Sequence, residues 1–191
     1  MIDQSISLAD HTVLTPDMAD RGMVAHLAEE GINVRACYQC GRCSSGCPVT
    51  PFFDLLPMEV VRLSSMGVDE PILKSHAIWL CASCETCTTR CPNDIDIAHL
   101  MDFHRQRALA KGVKPAEPKV AAFHKTYLNV IKRWGRIFEV ELFVEYKTRT
   151  MDFFSDMGMG MKMFFGGKLH LTPKPSKDRK SIRGMFKKNQ S

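Results

Sequence analysis

Eight cysteines, the whole complement of a 191-residue chain, fall into two copies of one spacing. The first copy is Cys37-Tyr-Gln-Cys40-Gly-Arg-Cys43-Ser-Ser-Gly-Cys47-Pro48; the second is Cys81-Ala-Ser-Cys84-Glu-Thr-Cys87-Thr-Thr-Arg-Cys91-Pro92. Each reads C-x2-C-x2-C-x3-C-P, the run that holds cubane [4Fe–4S] clusters through cysteine thiolates. Three thiolates two residues apart can wrap a tight loop around three irons of one cube. The x3 step and the proline carry the fourth thiolate past it.

In two-cluster ferredoxins that fourth cysteine ligates the opposite cluster. The spacing therefore predicts two [4Fe–4S] clusters with crossed ligands. Cluster 1 takes Cys37, Cys40, Cys43 and Cys91, and cluster 2 takes Cys81, Cys84, Cys87 and Cys47. A structural zinc site needs four ligands, usually two separated C-x2-C pairs, and two runs of four overshoot that pattern. A disulfide framework would need a secreted context. The first residues, Met-Ile-Asp-Gln-Ser, have no basic or apolar leader character, and no run of 18 apolar residues occurs. A cytoplasmic protein with no spanning membrane segment is expected.

Other chemistries find little support. With the cysteines committed as ligands, no thiol is left for catalysis, and there is no Gly-x-Gly-x-x-Gly and no phosphate loop with lysine. His99 and His104 are five residues apart, off a shared helical face, so the histidines read as surface or packing residues. The formal net charge of +5 is too mild to argue for nucleic acid, and the basic tail lacks interleaved aromatics. The chain can carry electrons but shows no place to use them, which predicts a non-catalytic relay subunit.

The elements that must position the cysteines read as helices. Thr15-Pro16-Asp17 has the form of a helix start, and Gly31 closes that helix before a link to the first run. Between the runs, Leu56, Val60, Leu63 and Met66 recur at helical steps, with Asp54 and Pro57 as start and Gly67 as stop. A second helix is expected from about Pro71 to Leu80. After the second run, Asp94 or Asp96 caps a helix carrying Ile97, Leu100, Met101 and Ala108, ending at Lys111-Gly112. No strand signals flank the runs. The fold class expected is all-α, an α-helical ferredoxin domain at 34–112 with a helical extension at 1–33.

Beyond Pro115-Ala-Glu-Pro118 a helix carries Val120, Phe123, Tyr127, Val130, Ile131 and Trp134 up to Gly135. Residues 138–146 alternate like a strand but have no partner strand, so helix is expected there too. The C-terminal helical region is placed at 113–172 and a basic tail at 173–191. The Met- and Phe-rich stretch 151–166 reads as a short core helix or an adaptable partner contact. The tail reads as a solvated, partly disordered end or a docking arm for an acidic partner.

The first run with Val34-Arg-Ala before it, the helical spacer, and Trp79-Leu80 through Cys91-Pro-Asn-Asp-Ile-Asp-Ile97 resemble the C-type iron–sulfur subunit of heterodisulfide reductase. The resemblance covers roughly 15–172. It implies an iron–sulfur electron-transfer protein that relays electrons between a flavin-containing A-like subunit and a cysteine-rich, disulfide-reducing B-like subunit. The alternative is the iron–sulfur subunit of another flavin-dependent dehydrogenase or of a sulfur-metabolism complex. Within the runs, Glu85 should lower the potential of cluster 2 relative to cluster 1, whose loop carries Arg42.

Overall fold

A computed structural model describes residues 19–151 and 175–188, and these fall into two compact units divided after Glu117. Among the described residues every regular element is helical. The first unit holds α1 (Arg21–Glu29), α2 (Arg42–Ser45), α3 (Pro57–Met66), α4 (Glu70–Lys74), α5 (Ala77–Leu80), α6 (Thr86–Thr89) and α7 (Ile97–Ala110). Its core is made of Leu27, Val60, Ile72, Ile78 and Leu100, none of which reaches solvent.

Helix α1 begins later than the sequence suggests. Thr15-Pro16-Asp17 lies outside the described residues, and the N-cap is Asp20, whose carboxylate accepts from the Met23 N–H at 3.1 Å. Asp20 is held there twice more. Its own N–H donates to the Gly67 carbonyl at 2.8 Å, and its carboxylate pairs with Arg107 of α7. The stop at Gly31 is as expected: its N–H donates to Ala28 and that of Ile32 to Leu27, closing the helix C-terminus.

Helix α3 starts at Pro57 with the Glu59 carboxylate reaching back to the Leu56 N–H at 2.8 Å. Gly67 ends it at φ 79°, and a Cβ there would stand 3.0–3.3 Å from the backbone of Asp20. Replacing Gly67 with alanine combines left-handed strain with that crowding. We expect it to destabilise the first unit by about 1–2 kcal/mol, read as a lowered denaturant midpoint at unchanged m-value.

The helix expected over 71–80 is broken in two. Ser75 is extended (φ −74°, ψ 154°), and α5 starts afresh after His76. The break is stabilised by Asp54, whose carboxylate accepts from the N–H groups of His76 at 2.8 Å and Ala77 at 2.9 Å. Asp54 thus does not start α3, as its position before Pro57 suggested. It caps a helix some twenty residues downstream.

Helix α7 is capped by Asp96, which accepts from the His99 N–H at 2.9 Å, while Asp94 takes a left-handed turn before it. Buried Asp69 joins α7 to the turn before α4: Arg107 Nε donates to its carboxylate at 2.7 Å and Lys111 Nζ at 2.6 Å. Burial alone would raise the Asp69 carboxyl. The hydrogen bonds and charges of Lys111 and Arg107 outweigh it and hold the group below the usual range. His104, fully buried, shares a 2.8 Å hydrogen bond with Ser64 of α3, so it is a packing histidine.

The second unit holds α8 (Pro118–Trp134), α9 (Glu139–Thr150) and α10 (Arg179–Lys188). Residues 139–150 are helical despite their strand-like alternation. Glu141 and Glu145, one turn apart, face Arg133 of α8, and Glu145 also pairs with Arg149 at 2.8 Å. The alternating Val144 is consequently left half exposed. The Met/Phe-rich stretch lies outside the described residues except Met151, which is exposed.

Where it is described, the basic tail is helical, with Lys177, Lys180, Arg183 and Lys187 exposed. It forms α10 against α8: Arg183 Nε donates to the Lys132 carbonyl at 3.1 Å, and the Arg179 guanidinium stands 5.4 Å from the Trp134 ring centre. Its cations meet the carbonyl end of α8, where the helix dipole favours positive charge. No helix among the described residues is long and apolar enough to cross a membrane.

Candidate iron–sulfur site

The two cysteine runs fold alike. In each, the residue before the second cysteine is left-handed, Gln39 at φ 60° and Ser83 at φ 50°. So is the residue after it, Gly41 at φ 75° and Glu85 at φ 60°. A single turn of helix then carries the third cysteine, Cys43 on α2 and Cys87 on α6, and these two turns pack against each other. Left-handed residues on both sides of the second cysteine turn each loop tightly, and turns built with left-handed residues make the concavities that receive anions and iron–sulfur groups.

Helices hold the loops from outside. Ser44 accepts from the Met58 N–H at 3.0 Å, fixing loop 1 to the start of α3. Thr88 joins loop 2 to α7 by donating to Asp96 at 3.2 Å and accepting from the Ala98 N–H at 3.3 Å. The loops are also tied across: Asn93, after the second run, donates to the Ala36 carbonyl just before the first. Gly46 leaves room for the arm of Arg90, whose Cδ would sit 2.7 Å from a Cβ at that position.

Four thiols line one cavity, and they come from both runs. Cys81, Cys84 and Cys87 stand around it with Cys47, walled by Val49, Phe53 and Met101. About 360 Å³ of atom-free space, including the open mouth, lies between them. Cys91 accepts from the Ile95 N–H at 3.4 Å and, with Cys40, lies within electrostatic reach of Tyr38 in loop 1. Cys43 and Cys37 interact in the same way. Among the described residues, no three cysteine, histidine or carboxylate groups converge as they would on a single metal ion.

The donor set fits an iron–sulfur group. Burial pushes the thiols of Cys43 and Cys81 up, and burial reinforced by the neighbouring Cys81 pushes Cys87 up to about 11. Cys84 is drawn down, by hydrogen bonds with Thr86. Thiols held back from ionising by burial or part-burial gain from cationic irons that replace their protons, so loading is coupled to proton release.

Two features were not legible in the runs themselves. One is the left-handed pair in each loop, hinted at only by Gly41. At the matching position of loop 2 stands Glu85, whose Cβ is strained in that conformation. We expect Glu85→Gly to stabilise the first unit by roughly 0.5–1 kcal/mol, measured as a raised denaturant midpoint, while Gly41→Glu should act in the opposite direction. The second is Arg105 of α7, buried and donating from Nη2 to Ser83 Oγ at 2.9 Å.

Comparison with known proteins points to the same kind of group. Residues 36–96 match the family model described as a 4Fe-4S dicluster domain. The chain is 34% identical over 96 residues to the C-type iron–sulfur subunit of the CoB–CoM heterodisulfide reductase of Methanopyrus kandleri, covering 50% of each protein. It is 33% identical over 103 residues to the second such C-type subunit of Methanocaldococcus jannaschii, covering 54% of this chain and 52% of that one. The C2 subunit of the H2/formate:CoB-CoM heterodisulfide,ferredoxin reductase of Methanococcus maripaludis is 32% identical over 96 residues, covering 50% and 52%. The chain spans about half the length of these relatives. Over that half, it is similar to the C-type iron–sulfur subunits of heterodisulfide reductases.

Proposed function

We propose that the chain is the iron–sulfur electron-transfer subunit of a heterodisulfide reductase-like complex, with two [4Fe–4S] clusters in an α-helical ferredoxin domain at 34–112. Cys37, Cys40, Cys43 and Cys91 hold one cluster; Cys81, Cys84, Cys87 and Cys47 hold the other. The observation that carries this reading is Cys47 of the first run standing in one cavity with three cysteines of the second.

When bound, such a cluster accepts and returns one electron. The residues of the chain supply what that needs. Thiolates hold the irons, amides of these tight turns offset the negative charge, and the packing of α2 on α6 keeps the two loops at a fixed separation. Apolar Val49, Phe53 and Met101 keep water from one side of the cavity. Exposed Cys40 and Cys84 leave each loop an open edge toward a partner.

The partners we assign are a flavin-containing A-like subunit and a cysteine-rich B-like subunit, met in the cytoplasm, where thiols stay reduced. The test is anaerobic purification of the tagged chain from its host, with the co-purifying polypeptides identified. A flavoprotein and a cysteine-rich subunit should come with it. A different dehydrogenase in their place would keep the relay and discard the disulfide reaction.

A further inference from the structure

Arg105 sits where a cation is costly. Its side chain is 8% exposed, and its Nε makes no hydrogen bond. Asp102, one turn earlier on α7 and half exposed, is 3.8 Å from that Nε, too far to bond. Its one hydrogen bond shown goes to Ser83, a neutral hydroxyl between Cys81 and Cys84. Half-exposed Asp102 compensates this buried cation only in part. A further negative group would be a loaded cluster in the neighbouring cavity of Cys47, Cys81, Cys84 and Cys87. Arg105 lies within electrostatic reach of Cys81, and it bonds Ser83 between Cys81 and Cys84.

We infer that Arg105 is a positioning residue that raises the reduction potential of the cluster held by Cys81, Cys84, Cys87 and Cys47. This rests on the function proposed above. Adding one electron makes the four-thiolate cluster more negative, so a nearby fixed cation favours the reduced form. Three other charges bear on loop 2. Asp102 partly neutralises Arg105, while Glu85 and Arg90 are both exposed. A charge in water acts with roughly a quarter of the strength it has at the effective dielectric of a protein site. Glu85 lines the cavity but is exposed, so we expect buried Arg105 to offset the lowering that Glu85 brings to this cluster. Loop 1 carries Gln39 at the Ser83 position, and its own cation, Arg42, is exposed.

The experiment is an EPR-monitored titration with dithionite of the anaerobically purified, iron-loaded chain, with iron and sulfide counted in every sample. Cys84→Ser identifies the relevant signal by altering it. Arg105→Met should shift that midpoint downward, Glu85→Gln should shift it upward, and both should leave the other midpoint in place. Asp102→Asn, on the exposed side of α7, should move the same midpoint upward and covers the case in which Arg105→Met loses its cluster. Unchanged midpoints in both fully loaded variants would overturn the inference while leaving the relay intact. A wild-type chain with no iron–sulfur signal would overturn both readings together.

Discussion

Replacing Cys47 with alanine should remove the cluster of the second run, not the first. The chain should then retain about half its iron and sulfide. Cys47 belongs to the first run by sequence, yet it lines the cavity of Cys81, Cys84 and Cys87 and acts electrostatically on Cys81. Single substitutions cannot separate crossed from uncrossed ligation, since either loses one cluster. Pairs can. Cys47→Ala with Cys84→Ala should lose no more iron than either alone, because both strike one cluster. Cys47→Ala with Cys40→Ala should lose nearly all of it. The reverse pattern, measured as iron and sulfide per chain, would mean that each run serves its own cluster.

Acid should weaken the first unit through His104. Burial holds this imidazole neutral and pulls it down to about 4, with Arg107 adding to the effect and Asp69 opposing it. In the unfolded chain it titrates near 6.5. The folded state therefore binds the proton less readily, and its stability is full above 6.5 and falls as the pH drops toward 4. The whole loss is about 3 kcal/mol, of which about 2 kcal/mol has gone by pH 5. Asp69, also depressed in the fold, adds a further loss in a more acidic window, as pH falls below the carboxylate range. Hydrogen exchange of α3 and α7 amides in the loaded chain at pH 7 and pH 5, corrected for intrinsic exchange, reads this. His104→Gln should be less stable at pH 7 but lose most of that pH dependence. A wild-type opening energy that is flat over this range would contradict the assignment.

Much of the frame was legible because its signals are local. The glycine stop at Gly67, the Asp96 cap and the apolar steps of α3 and α7 lie next to the helices they define. The cysteine spacing is local too, and it was legible as two repeated runs. What could not be read is set by residues far apart in sequence. Ser75 breaks a helix because Asp54 accepts the N–H groups that follow it. Arg105, at an unremarked position of α7, gains its meaning from Ser83 beside the cysteines. The left-handed Ser83 and Glu85 are imposed by the turns of the loop, against the preference of their own side chains. At the other end, α10 is helical because α8 offers it carbonyls and Trp134; its composition alone suggests a solvated tail.

The most direct test of the account is a count of metal and sulfide, with EPR before and after dithionite reduction, on the chain purified without oxygen. The account predicts about eight irons and eight sulfides per chain and two reduced-cluster signals that appear on reduction and vanish on reoxidation. Zinc in place of iron, or iron clusters that stay silent under reduction, would contradict it and leave the cysteines a structural role.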